Sequence, residues 1–332
     1  MNVLVLGDVG FIGSEIIDTL IKSRKINPES LNIIGIDQYS SSDERPLRMA
    51  SGAWKRHIQC DCASTCNNEV YSIIPTKKPD VIINCAAFVG VNNVKENSLR
   101  VGYNNLGISY HLCNALTLCK RENEDYNPLV IFFSTSEVYG NTLNASVSNH
   151  TYELFPETAR GSYATSKLTE ENLYHSLNNE GFTNTIIMRL FNIVGERQSD
   201  RFIISKLMKH IKETKEEVFE VTPTFRKFCY VDFLTDCVER IIYQYIKSGH
   251  TTFPKLTNFT SFREENYVSM MSLITLASEL INSRIYVKLV EPNPTDIIYR
   301  KSESPNIPPA FLDHSKDIPL KEILERCYGT KK

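Results

Sequence analysis

A glycine-rich turn near the N-terminus constrains the fold of this chain more than any other segment. It contains Gly7, Gly10 and Gly13, and it directly follows a short apolar run at residues 2–6. Apolar residues then recur at helical spacing, so the sequence predicts a strand, a tight turn and a helix. Glycines at such a turn let the backbone approach a pyrophosphate closely, and the helix N-terminus offers unpaired N–H groups to it. The turn therefore predicts a dinucleotide site.

Strand patterns and helical patterns alternate along the first half of the chain. Apolar, β-branched runs that predict buried strands occupy residues 31–36, 81–83, 129–133 and 185–188. Helical spacing of apolar residues is found between them, notably at 103–119 and 163–177. This alternation is typical of a doubly wound parallel sheet with helices on both faces, so the predicted fold class is α/β.

The alternation weakens beyond about residue 190. Helices are predicted there near residues 201–215, 232–247, 269–282 and 319–327. No repeat or Pro/Gly linker separates the two halves. We therefore predict a dinucleotide-binding domain at 1–190 and a smaller α/β substrate region at 191–332, packed together with a cleft between them.

Composition excludes several functional classes. Lys and Arg number 37 against 39 Asp and Glu, which leaves a net charge of −2 and no basic excess for nucleic acid or an anionic membrane. No apolar run reaches the roughly 18 residues of a membrane span, and the N-terminus lacks a basic leader. We expect a soluble, cytoplasmic protein.

The nine cysteines are an odd number, which does not suit a disulfide framework, so we expect reduced thiols. His57, Cys60, Cys62 and Cys66 lie close together in the sequence. Zinc sites usually take their ligands as two spaced pairs, which this cluster does not provide, so no metal is predicted.

Asp37 ends the second predicted strand. A carboxylate at that position accepts hydrogen bonds from an adenosine ribose and repels a 2′-phosphate. The sequence therefore favours NAD over NADP.

The glycine turn resembles that of the extended short-chain dehydrogenase/reductases, which include the NAD-dependent epimerase/dehydratase family of nucleotide-sugar enzymes. Those proteins usually read TGGxGFIG, and this chain reads LGDVGFIG at residues 6–13, departing at two positions. The resemblance implies a Rossmann-type fold and NAD as cofactor. It also implies cofactor contacts from Gly7, Gly10, Phe11, Ile12, Gly13, Asp37, Asp61, Cys62, Ala86, Ala87, Asn104, Tyr163 and Lys167.

Tyr163 and Lys167 lie four residues apart in a predicted helix and hence on one face of it. A nearby ammonium favours the phenolate and lowers the pKa of a tyrosine towards the range of a general base. Tyr328 and Lys332 have the same spacing near the C-terminus. The first pair is preferred because residues 134–140 (STSEVYG) follow a buried strand, at the edge where open α/β sheets bind ligands.

Both segments resemble the family's catalytic motifs in order and spacing. By that resemblance, Tyr163 removes the proton from a sugar C4 hydroxyl as hydride passes from C4 to the nicotinamide. Lys167 then lowers the pKa of Tyr163 and holds the nicotinamide ribose, while Thr135 hydrogen-bonds the same oxygen.

The second half of the chain resembles the substrate-binding motifs of nucleotide-sugar enzymes. Asn192 lies in RLFNIVG, Arg226 in RKFCYVD, and Arg300 precedes Lys301 near the C-terminus. Guanidinium groups suit a diphosphate because their donors are planar and bidentate. The resemblance implies a nucleotide-diphosphate sugar as substrate, with UDP favoured.

The residues beside Thr135 bear on which reaction follows C4 oxidation. Ser136, Glu137, Arg160 and Arg300 together resemble UDP-glucuronate decarboxylases, which implies UDP-xylose or a 4-keto-pentose as product. In that interpretation Arg160 or Arg300 meets the carboxylate, and Ser136 and Glu137 serve the C5 proton. Nucleotide-sugar 4,6-dehydration and 4-epimerisation stay open, as does an NAD-binding protein without catalysis.

Residues 96–118 and the helix that holds Tyr163 resemble the helices through which members of this family pair. The resemblance implies a homodimer.

Overall fold

The computed structural model of the chain describes residues 1–38, 56–66, 68–89, 97–140, 144–145, 159–213, 217–292, 296–302 and 306–329. The elements below lie within these ranges.

The centre of the molecule is a seven-stranded parallel sheet. In chain order its strands are β1 Asn2–Leu6, β2 Asn32–Asp37, β3 Arg56–Gln59, β4 Val81–Asn84, β5 Leu129–Thr135, β7 Asn184–Leu190 and β12 Leu256–Phe259. The spatial order is β12-β7-β5-β4-β1-β2-β3. The order reverses between β1 and β4, and in open α/β sheets such a reversal is where ligands bind, at the carboxyl ends of the strands.

Helices cover both faces of this sheet. The described α-helices are α1 Phe11–Ile21, α2 Val70–Lys77, α3 Ser98–Glu122, α4 Ala159–Asn179, α5 Ile203–Glu213, α6 Val231–Ser248, α7 Met270–Leu280 and α8 Leu320–Gly329. One apolar core lies between the sheet and α1 and α6, and a second lies between the sheet and α2, α3 and α4. The prediction of a Rossmann-type doubly wound α/β fold is confirmed.

The chain after residue 190 builds a smaller α/β region and also returns to the main sheet. The remaining described strands are β6 Asn144–Ala145, β8 Ile193–Val194, β9 Phe219–Val221, β10 Phe225–Lys227, β11 Cys229–Tyr230, β13 Tyr267–Ser269, β14 Val287–Leu289 and β15 Tyr299–Ser302. Four of them form a sheet in the order β13-β10-β15-β6, and α5, α7 and α8 share a third apolar core. Since β12 pairs with β7 and α6 packs on α1, the two regions are joined. The division at residue 190 stays a proposal.

No helix among the described residues is long and apolar enough to cross a membrane. The nine cysteines form no disulfide in the structure. In the same part of the chain, no group of three or more His, Cys, Asp or Glu side chains is arranged to hold a metal ion. Cys60, Cys62 and Cys66 follow β3 in a turn.

Candidate active site

The glycine turn lies between β1 and α1 and is closely packed against the neighbouring strand. Gly7 has a φ of +78°, and a Cβ there would lie 2.7 Å from the backbone nitrogen of Ala86. A Cβ on Gly13 would lie 2.2 Å from the carbonyl oxygen of Gly7. These two positions therefore exclude any larger residue, the first through its left-handed conformation and the second through the close approach of helix and turn.

Asp37 ends β2 beside this turn. Its carboxylate accepts a hydrogen bond of 3.2 Å from the backbone N–H of Val9. Asp61 follows β3; its carboxylate accepts hydrogen bonds from the Ala63 N–H at 3.0 Å and from Gln38 Nε2 at 3.3 Å. Asp37 and Asp61, both expected at the cofactor, therefore lie near the carboxyl ends of neighbouring strands, each oriented by a backbone donor.

Thr135 and Tyr163 come together at the carboxyl end of β5. The hydroxyl of Thr135 accepts a hydrogen bond from the Glu137 N–H at 3.2 Å, which caps the short 3₁₀ helix Ser136–Tyr139. Thr135 also hydrogen-bonds the phenol of Tyr163, and this bond lowers the pKa of Tyr163. Burial and the charges of Glu137 and Glu170 act in the opposite direction, so the net pKa of Tyr163 lies above its ordinary value.

The raised pKa of Tyr163 differs from the expectation drawn from the sequence. The spacing of Tyr163 and Lys167 predicts a lowered phenol pKa, whereas the chain alone raises it, because burial and two carboxylates outweigh the hydrogen bond. Lys167 lies on the same face of α4 as Tyr163, and its side chain is buried. Its ammonium lies 3.4 Å from the Phe133 carbonyl oxygen and 3.3 Å from Glu170 Oε2. The same ammonium lies 4.6 Å from the centre of the Phe132 ring. A positive charge added by a ligand would act in the opposite direction and lower the pKa of Tyr163.

Arg300 reaches the catalytic segment from β15. Its guanidinium donates to Ser136 Oγ at 3.1 Å and to the carbonyl oxygen of Gly140 at 3.2 Å. It also lies 3.5 Å from Glu137 Oε1. The arginine is 3% exposed, so a fixed cation stands beside the two residues that the sequence assigned to the C5 proton.

A family model described as the NAD dependent epimerase/dehydratase family matches residues 3–251 of the chain. The chain belongs to this family. It is accordingly an enzyme of the NAD-dependent nucleotide-sugar epimerases, dehydratases and decarboxylases, and NAD is its cofactor.

Curated relatives of this family carry different activities. A UDP-glucuronic acid decarboxylase of Arabidopsis thaliana is 26% identical over 312 residues, covering 91% of this chain and 81% of the relative. An uncharacterized UDP-glucose epimerase of Bacillus subtilis is 28% identical over 246 residues, covering 73% of this chain and 71% of the relative. Among solved structures, a UDP-glucuronic acid 4-epimerase of Bacillus cereus in complex with UDP-glucuronic acid and NAD has a TM-score of 0.78 at 20% identity, covering 99% of this chain and 98% of that one. That likeness shows the shared fold.

The dinucleotide site fits NAD. Among the described residues, no side chain caps the N-terminus of α1 at Gly10, so the first N–H groups of that helix, including those of Phe11 and Ile12, are left for an anion. Of the other residues expected at the cofactor, Cys62 and Asn104 are buried, and Ala86 and Ala87 lie two and three residues after the end of β4.

The residues expected at the substrate do not all lie at one place in the structure. Arg226 and Arg300 are paired in register on β10 and β15 and so lie on one face of that sheet. The Arg226 guanidinium donates to the backbone carbonyls of Phe225, Ile298 and Ile297 at 2.7–3.2 Å. The amide of Asn192 donates to the Lys227 carbonyl at 3.0 Å. The Arg160 side chain lies outside the described residues.

Sequence reasoning missed the partners of Asp8, one of the two departures in the glycine turn. Its carboxylate is fully buried and lies 2.8 Å from His57 Nδ1 on β3. A Cβ on Gly35 would lie 1.9 Å from Asp8 Oδ2, so Gly35 leaves the space that Asp8 fills. Burial raises the pKa of Asp8 to about 6, against the lowering effect of His57. The acid thus braces β2 and β3 beneath the turn.

Sequence reasoning also missed a buried ion pair behind the catalytic residues. Arg189 at the end of β7 donates to both oxygens of Glu171 on α4, at 2.9 and 2.6 Å. Its guanidinium carbon lies 4.8 Å from the centre of the Tyr139 ring. The pair fixes α4, and with it Tyr163, against the sheet.

Proposed function

We propose that the chain oxidises C4 of UDP-glucuronate and removes its C6 carboxylate as carbon dioxide, giving UDP-xylose or a 4-keto-pentose. The observation that carries this proposal is the buried Arg300 guanidinium beside Ser136 and Glu137. A buried cation at this place suits a substrate that brings a carboxylate, because a guanidinium binds a carboxylate through two parallel donors. The neutral sugars of 4,6-dehydratases and UDP-glucose 4-epimerases bring no such charge, whereas a 4-epimerase of UDP-glucuronate brings the same carboxylate and differs in retaining it.

Tyr163, Thr135 and Lys167 carry the oxidation in this proposal. When bound, NAD accepts hydride from C4 and returns it later in the cycle. Tyr163 takes the proton of the C4 hydroxyl, Thr135 orients that oxygen, and Lys167 holds the nicotinamide ribose. Burial and two carboxylates raise the pKa of Tyr163, and a cationic nicotinamide bound beside it would lower that pKa.

The oxidised sugar is a β-keto acid, so loss of carbon dioxide follows without a leaving-group acid. The C5–C6 bond breaks, and its electron pair passes to C5 and the C4 carbonyl as an enolate. C5 then takes a proton, and returned hydride at C4 with the proton from Tyr163 completes UDP-xylose. If hydride is not returned, the 4-keto-pentose leaves instead.

Glu137 is the proton donor that we assign to C5. It lies 3.5 Å from Arg300, and its side chain remains 20% exposed at the site. A substrate carboxylate that enters beside Arg300 competes for that cation and repels Glu137, which favours the protonated acid. Once carbon dioxide has left, Glu137 is free to give up this proton, with Ser136 as the adjacent hydroxyl.

Nucleotide-sugar binding by residues 191–332 is part of the same proposal. Arg226 and Arg300 share a sheet face in that region. The curated plant relative is a UDP-glucuronic acid decarboxylase, which supports both the substrate and the reaction.

Mass spectrometry of products tests the proposal. The purified protein with NAD is incubated separately with UDP-glucuronate, UDP-glucose, UDP-N-acetylglucosamine and GDP-mannose, with Tyr163→Phe as the inactive control. Loss of carbon dioxide from UDP-glucuronate is the expected result. Loss of water from a neutral sugar identifies a dehydratase instead, and an isomer of unchanged mass identifies an epimerase; either contradicts decarboxylation.

We also propose that two copies of the chain pair through α3. Leu99, Tyr103, Leu106 and Tyr110 are exposed, and their spacing of four, three and four residues places them on one helix face. Leu99 is 87% exposed, and an apolar stripe of this kind marks an interaction surface. Glu96 lies outside the described residues.

Sedimentation measures the pairing directly. The double variant Leu99→Glu/Leu106→Glu is expected to sediment as a monomer, and wild type as a dimer. Leu289→Glu alters an exposed apolar residue on β14 and is expected to stay dimeric. A monomeric wild type rejects the dimer.

A further inference from the structure

A fully buried carboxylate lies one helical turn after Lys167. Glu170 Oε2 is 3.3 Å from Lys167 Nζ, and the two side chains are 0% and 2% exposed. The proposed reaction uses Lys167 but gives Glu170 no task.

The position of Glu170 is fixed by hydrogen bonds from a second helix. Ser109 on α3 donates to Glu170 Oε2 at 2.6 Å. Ser109 is itself held by Asn84 Nδ2 at 3.5 Å and by the Tyr174 hydroxyl at 3.4 Å. Within the described part of the chain, Glu170 Oε1 is buried without a hydrogen-bond partner. One oxygen therefore carries both contacts of this carboxylate, with Lys167 and with Ser109.

Lys167 is the cation that acts on Glu170. Among the described residues, the ionisable groups that interact with Glu170 include Lys167, Tyr163, Glu171 and Tyr174 on α4 and Cys113 on α3. Glu171 is neutralised by Arg189. The other contacts of the Lys167 ammonium, the Phe133 carbonyl and the Phe132 ring, carry no net charge. Glu170 is thus the counter-ion of Lys167 in this pocket.

The carboxylate titrates in the working range of an enzyme. Burial raises the pKa of Glu170 to about 7, although Lys167 and Ser109 both lower it. The charge of the Lys167–Glu170 pair therefore changes near neutral pH.

We infer that Glu170 is a positioning residue that sets the charge of the nicotinamide pocket and so favours the oxidised, cationic cofactor over the reduced, neutral one. The inference rests on the proposed place of Lys167 at the nicotinamide ribose. A cationic ring near a buried ammonium meets like-charge repulsion, and an ionised carboxylate beside that ammonium offsets it. An enzyme whose cycle begins and ends with NAD gains from this preference.

The ratio of the NADH to the NAD dissociation constant tests the inference without any sugar. Calorimetry measures both constants between about pH 5.5 and 8.5 for wild type, Glu170→Gln and Glu180→Gln, the last an exposed carboxylate just after α4. In wild type the ratio should be larger above pH 7 than below it, because NAD binds more tightly relative to NADH when Glu170 is ionised. Glu170→Gln should lower the ratio about tenfold at high pH and remove its pH dependence, while Glu180→Gln should match wild type.

Ser109→Ala provides a second variant that keeps the charge. It removes a hydrogen bond that lowers the pKa of Glu170. The midpoint of the change of the ratio with pH should therefore move to higher pH. A folding defect weakens both cofactors equally and does not move the ratio. A wild-type ratio that does not change with pH, or a Glu170→Gln ratio equal to wild type, overturns the inference.

Turnover of the nucleotide-sugar panel is scored separately. If the ratio of dissociation constants depends on Glu170 but the protein does not decarboxylate UDP-glucuronate, only the proposed reaction is contradicted. If the protein decarboxylates UDP-glucuronate but substitution of Glu170 leaves the ratio of dissociation constants unchanged, only the inference is contradicted.

Discussion

Arg300 donates a hydrogen bond of 3.1 Å to Ser136 Oγ, joining β15 of the smaller region to the carboxyl end of β5. The same guanidinium binds the Gly140 carbonyl and faces Glu137. This contact links the two halves of the molecule at the residues proposed for the chemistry.

Arg300→Lys should therefore impair catalysis. Lysine is a point charge and does not reproduce the planar fork that meets a carboxylate. We expect kcat/KM for UDP-glucuronate to fall about 100-fold. Steady-state assays of carbon dioxide release measure the change.

Lys301→Met is the matched control. Lys301 pairs with Glu264 at 2.9 Å and is 38% exposed, and alternation along β15 places it on the face opposite Arg300. Its loss should leave kcat/KM within about twofold of wild type, as for most exposed ion pairs. Equal effects of the two substitutions would show that Arg300 has no special place in the reaction.

Asp37→Ser should weaken the choice of NAD over NADP. The carboxylate is oriented by the Val9 N–H at the end of β2, where we expect it to accept hydrogen bonds from the ribose hydroxyls and to repel a 2′-phosphate. We expect NAD affinity to fall about tenfold and NADP affinity to rise. Calorimetric titration with both dinucleotides measures this, with the exposed Glu29→Gln as control. Unchanged discrimination rejects the assignment of Asp37.

Gly35→Ala should destabilise the fold through Asp8. The new Cβ would lie 1.9 Å from Asp8 Oδ2, and overpacking of this kind costs about 1–3 kcal/mol. Asp8→Gly removes the obstructing carboxylate, so the double variant should lose less than the sum of the single losses. Urea unfolding of the four proteins measures the coupling; strict additivity would show that the two residues do not contact each other.

Five strands of the main sheet, β1, β2, β4, β5 and β7, were predictable because each contains a continuous apolar run, which is typical of a sheet buried on both faces. Strands β3, Arg56–Gln59, and β12, Leu256–Phe259, were not predicted, since their sequences lack that pattern. The short strands of the smaller region, such as β9 and β14, have three residues each and carry no periodicity to detect.

The candidate site was predictable where a local motif marks it. Tyr163, Lys167 and Thr135 stand in recognisable segments, and the structure brings Thr135 to Tyr163. The contact of Arg300 with Ser136 spans 164 positions, and the pairs Asp8–His57 and Ser109–Glu170 join separate elements. No periodicity reports such contacts, because they depend on tertiary packing.

The pH dependence of stability tests the burial of Glu170. Its pKa is raised from 4.5 to about 7 on folding, so the folded state holds this proton where the unfolded chain has released it. The contribution of Glu170 to the free energy of unfolding is fully present below pH 4.5 and is lost as the pH rises to about 7, on the order of 3 kcal/mol.

Glu170→Gln should lack that loss. Chemical unfolding of wild type and variant across this pH range measures the difference, and Glu180→Gln is the control. If the free energies of unfolding of wild type and Glu170→Gln change in parallel with pH, Glu170 is not a buried acid with a raised pKa.

The fate of the C6 carboxylate tests the central claim most directly. UDP-glucuronate labelled in that carboxylate is incubated with the enzyme and NAD, and the label is followed in the gas phase and in the nucleotide sugar. We predict labelled carbon dioxide from wild type and none from Tyr163→Phe. Label retained in a nucleotide sugar that wild type has nevertheless converted would contradict the account.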